Sequence, residues 1–277
     1  MKIVKNLIKK FLYKTSEFNP LRKFLNQYKN NSIIFCLHRV LPKKLRIKED
    51  PKNLDFIIST NYLEKLIIKI KKNYKFVDLE TLLKNYDSKK NFCHLTFDDG
   101  YLDNFKYAYP ILKKHNVPCT IYISDSFAER NSQKKDFLCA NSYNDFMEWK
   151  HIISLSNTKL VTIGCHTSNH YELSKLSKKK IYQEISSSKK KIEKKINKKI
   201  YNFAYPYGGI NNFNDSSIKI INKLNFNNAV TAMCRKWYST DSNFLIPRYF
   251  VTEECSHKIL MTRINGLSNF FKNQLLP

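Results

Sequence analysis

The sequence is short of glycine, of acidic residues and of any long apolar run. Only five glycines occur in 277 residues, so each one that falls in a motif marks a turn worth locating. No stretch approaches the ~20 consecutive apolar residues of a transmembrane helix. The N-terminus also lacks the uninterrupted apolar centre and the small-residue cleavage site of a secretory signal. There is no C-x-x-C pair, and the seven cysteines (36, 93, 119, 139, 165, 234 and 255) are an odd set. Cys36, Cys93, Cys119 and Cys165 sit in or beside apolar, strand-like runs, as small buried hydrophobes do. This points to a reducing compartment and away from a disulfide framework. No internal repeat is visible, and no recognisable nucleic-acid reader accompanies the basic residues, which argues against nucleic acid as a partner.

What the chain has instead is positive charge: 49 Lys and Arg against 23 Asp and Glu, a formal net charge of +26. The charge is heaviest from Lys175 to Lys199, and it favours polyanions or an anionic membrane surface as neighbours. With 42% apolar and 14% aromatic residues the chain can bury a sizeable core. Its length fits one α/β domain of about 250 residues with short extensions. Within residues 1–30, Met1 to Tyr13 alternate lysines with Ile, Val, Leu and Phe at helical spacing. Residues 1–30 read as a basic amphipathic helical segment, either docked on the domain or lying on the cytoplasmic face of an anionic membrane. Residues 31–254 form the main domain, and 255–277 read as a helical tail.

Strand-like and helical patterns alternate along the main domain. Strands are expected at 32–37, 75–77, 92–97, 118–124, 159–163, 201–205 and 228–232. Helices are expected at 61–72, 79–86, 104–114, 143–155, 174–197 and 216–224. Pro42 to Pro51 reads as a charged loop, and 125–142 as a loop over the strand ends. Such a rhythm is what a parallel sheet or barrel requires. Trp149, His94, His115 and His151 read as structural.

The organising stretch is Leu95-Thr96-Phe97-Asp98-Asp99-Gly100, a β-prone run ending in two adjacent carboxylates. Like charges this close push one pKa up, and burying either acid needs a cation or a hydrogen-bond donor, so the pair implies a partner such as a metal. Downstream, Ile163-Gly164-Cys165-His166-Thr167-Ser168-Asn169-His170 ends a second strand with two histidines four apart. On a helical turn that spacing puts both imidazoles on one face, able to grip one ion. Cys165 adjoins His166 but points to the other face of the strand. Four of the five glycines, Gly100, Gly164, Gly208 and Gly209, lie in or beside these stretches and the Tyr205-Pro206-Tyr207-Gly208 turn.

Together Thr96-Phe97-Asp98-Asp99-Gly100, His166-x-x-x-His170 and Phe203-Ala204-Tyr205-Pro206-Tyr207-Gly208 resemble the polysaccharide deacetylase family (NodB homology, carbohydrate esterase family 4), over roughly Ile33 to Val251. The resemblance implies an irregular (β/α) barrel, with Asp98 as general base and Asp99, His166 and His170 as metal ligands. Two nitrogens and one oxygen with room for water suit a divalent ion, Zn2+ above all. The backbone N–H of Tyr207 would help hold the oxyanion. The family's usual arginine in this segment is missing, since Ala204 and Tyr205 occupy that neighbourhood, and Arg248 is the candidate to orient Asp98. For the general acid the candidates are His38, in a segment that looks like the branch taking its acid from the N-terminal side, and the late His257. The implied activity is removal of the N-acetyl group from an amino sugar in a surface polysaccharide, a lipopolysaccharide or its lipid-linked precursor, in the cytoplasm or on the inner membrane face. Two alternatives stay open: an inactive glycan-binding or membrane-associated module of the same fold, and an amidohydrolase for a small non-sugar amide.

Overall fold

The structure, a computed structural model, describes residues 32–86, 90–131, 139–235, 237 and 241–253. The basic segment at 1–30, the tail at 255–277 and His257 lie outside these residues.

Ten strands are described: β1 (Ile33–Leu37), β2 (Arg39–Leu41), β3 (Ile57–Ser59), β4 (Lys75–Phe76), β5 (Phe92–Phe97), β6 (Cys119–Ile123), β7 (Val161–Cys165), β8 (Asn202–Ala204), β9 (Asn228–Val230) and β10 (Tyr249–Phe250). The main sheet runs β10-β1-β5-β6-β7-β8-β9, with β4 pairing the start of β5, and every pairing is parallel. The segment 246–250 joins its two ends. Ile246 bridges to Val230 of β9, while Tyr249 and Phe250 pair with Phe35 and Cys36 of β1. One irregular strand thus curls the sheet into a barrel, the α/β architecture that the resemblance implied.

Side chains alternate across the sheet with a period of two. Ile33, Phe35 and Leu37 of β1, Leu95 and Phe97 of β5, and Ile121 and Ile123 of β6 belong to the large outer core. The six longer α-helices described are α1 (Thr60–Lys71), α2 (Leu79–Lys84), α3 (Tyr109–Lys114), α4 (Trp149–Ser156), α5 (Lys178–Ile196) and α6 (Asp215–Lys223). α2 packs Leu79 and Leu82 into a second apolar cluster, and the other five cover the outer core. The stripes Leu63/Leu66/Ile67/Ile70 of α1 and Ile181/Ile185/Ile192/Ile196 of α5 are buried there. Each such side chain contributes roughly 1.5–3 kcal/mol, so the apolar period that predicts these helices also holds them to the sheet.

The opposite residues face inward. Ile34, Tyr122, Ala204, Val230 and Ile246 belong to that second, smaller apolar cluster. Tyr122 fits because β7 has no side chain at Gly164, where a Cβ would lie 2.5 Å from its ring. His94 is held by the Val77 carbonyl at 2.8 Å and the Thr120 hydroxyl at 2.9 Å. Burial pushes its pKa down to about 4, so it stays neutral.

Several elements differ from the sequence reading, and the cause is local each time. The parallel pair β2/β3, from Arg39 and Ile57 onward, and the two-residue β10 are too short to show periodicity. The expected helix at 104–114 begins as a wide π turn, Asn104–Ala108, before α3. The expected helix at 143–155 splits into a 3-10 turn, Tyr143–Asp145, and α4. The expected loops contain single helical turns at Lys43–Arg46 and Asp125–Ala128. Trp149 packs, half-buried, against the outer core. Among the described residues no helix is long and apolar enough to cross a membrane.

Candidate active site

The site lies at the C-terminal ends of β1, β5 and β7. β5 continues one residue past its last strand pair, where the Asp98 N–H donates to the Leu37 carbonyl at 3.0 Å. There the backbone turns through left-handed conformations at Asp99 (φ 70°) and Gly100 (φ 78°). Successive strand residues normally face opposite ways. The left-handed turn breaks that alternation, so both carboxylates enter the same buried region.

Their partners differ. Arg248 Nη1 and Nη2 donate to Asp98 Oδ1 and Oδ2, each at 2.7 Å, while Nη1 also reaches Thr96 Oγ1 at 2.9 Å and Nε reaches the Thr231 carbonyl at 2.9 Å. Every guanidinium nitrogen is engaged, and Arg248 is fully buried. Burial alone would raise the Asp98 pKa, but the guanidinium outweighs it and holds the carboxyl below its usual value. Asp241, the nearest acid to Arg248 in the sequence among those on its N-terminal side, pairs instead with Arg235 at 2.6 Å.

Asp99 Oδ1 stands 3.4 Å from His166 Nε2 and 3.3 Å from His170 Nε2. Ligand atoms of these three buried residues lie within 4.8 Å of one another. His166 Nδ1 lies 2.8 Å from the Ala204 carbonyl, which can only accept, so Nδ1 carries the hydrogen and Nε2 turns a lone pair inward. Burial opposes ionisation of Asp99, yet His170 and His166 hold its pKa far below the carboxylate range. For His166 burial opposes protonation, and Asp99 and Asp98 overcome it, so its pKa rises. Both directions mark a point that draws in positive charge. A divalent cation suits this donor set of two imidazole nitrogens and one carboxylate oxygen, the composition of open catalytic sites.

The histidine pair is not on a helical turn. His166 follows β7 directly, and the loop bends through positive φ at Thr167 (66°) and His170 (55°). That loop is tied down by residues the sequence reading did not single out. Glu184 of α5, 3% exposed, accepts from the Asn169 N–H and its Nδ2, both at 2.9 Å. Ser188 donates to the Thr167 carbonyl at 3.1 Å. The signal for it in the sequence is a glutamate standing next to Ile185 in the apolar stripe of a lysine-rich helix.

His38 follows β1 directly and lies on the Asp98 side, where Cys36, His38 and Asp98 offer atoms within 4.8 Å of one another. Its ring stands edge-on to Phe56 and Phe250, with centroids 5.2 and 5.4 Å away. Burial holds its pKa below the ordinary histidine value, against the pull of Asp99 and Asp98. Tyr207 lies at φ 61°, with its ring half-exposed and its centroid 4.9 Å from that of His170. The structure therefore gathers Asp98, Arg248 and His38 on one side and Asp99, His166, His170 and Tyr207 on the other. The histidines read as structural stay outside both groups: His115 binds Glu64 at 2.9 Å, and His151 caps α4 through the Glu148 N–H.

Comparison with known proteins gives the same grouping a lineage. Residues 85–229, just over half the chain, match the family described as Polysaccharide deacetylase. A Bacillus subtilis relative, YxkH, is 28% identical over 137 residues; the match covers 50% of this chain and less than half, 43%, of that protein. The poly-beta-1,6-N-acetyl-D-glucosamine N-deacetylase of Staphylococcus aureus is 25% identical over 258 residues, covering 79% of this chain and 85% of its own. Among solved structures, IcaB from Ammonifex degensii superposes with a TM-score of 0.69 at 19% identity, covering 85% of this chain and 98% of that one. That match speaks for the fold, and the family match spans the acid pair, the histidine pair and the turn at Tyr207: the chain belongs to the polysaccharide deacetylase family.

Proposed function

We propose that this protein hydrolyses the N-acetyl group of an amino sugar carried by a surface polysaccharide or its lipid-linked precursor. The observation that carries the reading is the meeting of Asp99, His166 and His170 beside an Asp98 clamped by Arg248. In this reading Asp99, His166 and His170 hold a divalent cation, Zn2+ by preference, which when bound supplies Lewis acidity toward water and toward the acetyl carbonyl.

The chain's own residues do the rest. Asp98, kept ionised and aimed by Arg248, takes the proton from the attacking water. The Tyr207 N–H donates to the oxyanion as the carbonyl carbon becomes tetrahedral. The C–N bond then breaks as the departing nitrogen takes a proton from the imidazolium form of His38, the form that Asp99 and Asp98 favour against burial, leaving neutral His38, acetate and a free amino sugar. The half-exposed ring of Tyr207, against His170, offers an apolar wall to a pyranose. The formal net charge of +26 supports work beside an anionic surface, and the cysteine usage supports the cytoplasmic side of a membrane. The proposed chain layout is a catalytic domain at 31–254 flanked by a basic membrane-facing segment at 1–30 and a helical tail at 255–277.

The test is acetate release from N-acetylglucosamine oligomers by the full chain, with and without a chelator. Release that stops on chelation and returns with Zn2+ is expected. No release from any oligomer, or release indifferent both to chelator and to Asp98→Asn, would overturn the reading.

A further inference from the structure

The turn that delivers the acid pair continues into two more buried polar residues, Asp103 and Asn104, 4% and 1% exposed. Both reach back to His38 and the two residues that follow it. Asn104 Nδ2 donates to the His38 carbonyl at 2.8 Å. Asp103 Oδ1 accepts from the Val40 N–H at 2.9 Å, and Oδ2 accepts from Arg39 Nε at 2.8 Å. Arg39 is itself buried, and its Nη1 continues to the Cys139 carbonyl at 2.8 Å. Three consecutive residues, His38 between β1 and β2 and Arg39 and Val40 of β2, are therefore gripped by two consecutive residues of the turn after β5.

The grip is expensive in a way that packing alone does not require. Asn104 Oδ1 is buried without a hydrogen-bond partner among the described residues, and an unsatisfied buried acceptor costs about 1–3 kcal/mol. An apolar side chain of similar volume would avoid that cost but could not hold the His38 carbonyl. Asn104 also opens the five-residue π turn Asn104–Ala108, a distortion that turns the chain out of regular helix at this point. The π turn places Asn104 beside His38 while Asp98 and Asp99, a few residues earlier on the same turn, stay at the end of β5.

We infer that Asn104, supported by Asp103, is a positioning residue for His38: its amide fixes the backbone from which the imidazole projects, and so sets the imidazole's distance from Asp98 and from the nitrogen that must be protonated. The inference rests on His38 being the acid. Proton delivery is steep in distance, and a displacement of about 1 Å costs about a hundredfold in rate. Removing the tether should thus lower turnover with little effect on substrate capture.

A double-mutant cycle on the full chain tests this, using wild type, Asn104→Ala, His38→Ala and the double variant, with kcat and KM for acetate release from N-acetylglucosamine oligomers in saturating Zn2+. Asn104→Ala is expected to lower kcat about ten- to a hundredfold, with KM within about twofold. In the His38→Ala background the same change should cost less than about twofold, because the group it positions is gone. An equal factor in both backgrounds, or no loss in either, overturns the positioning role while leaving the acid assignment standing. An unchanged kcat for His38→Ala overturns the acid assignment and the inference with it. Asn104→Ser, which retains a donor, should recover part of the lost kcat and guards against a variant that merely folds poorly; equal loss in Ser and Ala variants that melt as wild type does counts against the inference. The ratio of amide to 4-nitrophenyl acetate hydrolysis gives a second readout, since nitrophenolate leaves without a proton. That ratio should fall in Asn104→Ala, and a proportional loss on both substrates marks a structural role.

Discussion

Asp98 and Asp99 are neighbours in the chain and equally buried, each 3% exposed, yet their surroundings are opposite. Asp98 faces one guanidinium that satisfies both its oxygens. Asp99 faces two imidazoles at 3.3 and 3.4 Å, too loosely for strong hydrogen bonds and well suited to a shared ion. Both carboxyls are kept ionised, one by a permanent charge and the other by groups whose charge is exchangeable. The difference teaches that a pair of like charges is tolerable in a barrel mouth when each has its own source of positive charge, and that the source assigns the task.

The most forceful way to break the comparison is to neutralise each acid in turn. Asp98→Asn should cost at least about a thousandfold in turnover while metal content, read by atomic absorption, stays near wild type. His170→Ala should lose both activity and metal. If the two variants behave alike, the division of labour between the two acids is wrong.

Next in size is Arg248→Met. Stripping the partner from a buried carboxylate should destabilise the fold by about 3–5 kcal/mol in urea unfolding. The Asp98 pKa is held down by Arg248; without it the pKa rises, so the acidic limb of the kcat/KM profile should move to higher pH. A limb that stays in place would show that Arg248 does not set the ionisation of Asp98.

A control inside the same barrel is His94, neutral and remote from both acids. Its folded pKa of about 4 lies below the unfolded value of 6.5. The unfolded chain therefore binds the proton first, and the contribution of neutral His94 is complete above pH 6.5 and lost as pH falls toward 4. Between pH 7 and pH 5 the loss should reach about 2 kcal/mol, and it should be absent in His94→Gln. Equal slopes in the two proteins would refute the assignment.

The smallest effect is expected behind the histidine pair. Glu184→Ala frees the loop at Asn169 and should weaken Zn2+ binding about tenfold, measured by competition with a chromophoric chelator, while Asp98 and Arg248 keep their stability contribution. No change in affinity would show that the loop holds its shape without α5.

Much of the fold was legible in the sequence because its causes are local. The period-two alternation of β5 and β6 and the 3.6-residue stripes of α1 and α5 are written in consecutive residues; β5, β6 and α1 match their expected bounds within a residue, while α5 starts four residues later than expected, at Lys178, after a separate 3-10 turn at Leu173–Lys175. β2, β3 and β10 were not legible, because two or three residues carry no period and become strands only when a partner is alongside. His166 and His170 could be named from their spacing, but the spacing pointed to a helical turn. The left-handed backbone at Thr167 and His170 depends on Glu184 and Ser188, which lie on a helix the local sequence does not contain.

By itself the sequence determined that two carboxylates and two histidines sit at strand ends of a parallel α/β domain, since burial pattern and strand termination are short-range properties. Which acid meets which charge was decided only when the chain closed. Residues 246–250 carry Arg248 across the seam between β9 and β1, and no spacing along the chain encodes that 150-residue return. A desolvated carboxylate takes whatever cation the tertiary structure brings within hydrogen-bond reach, so its role is fixed by what surrounds it in space and not by its neighbours in sequence.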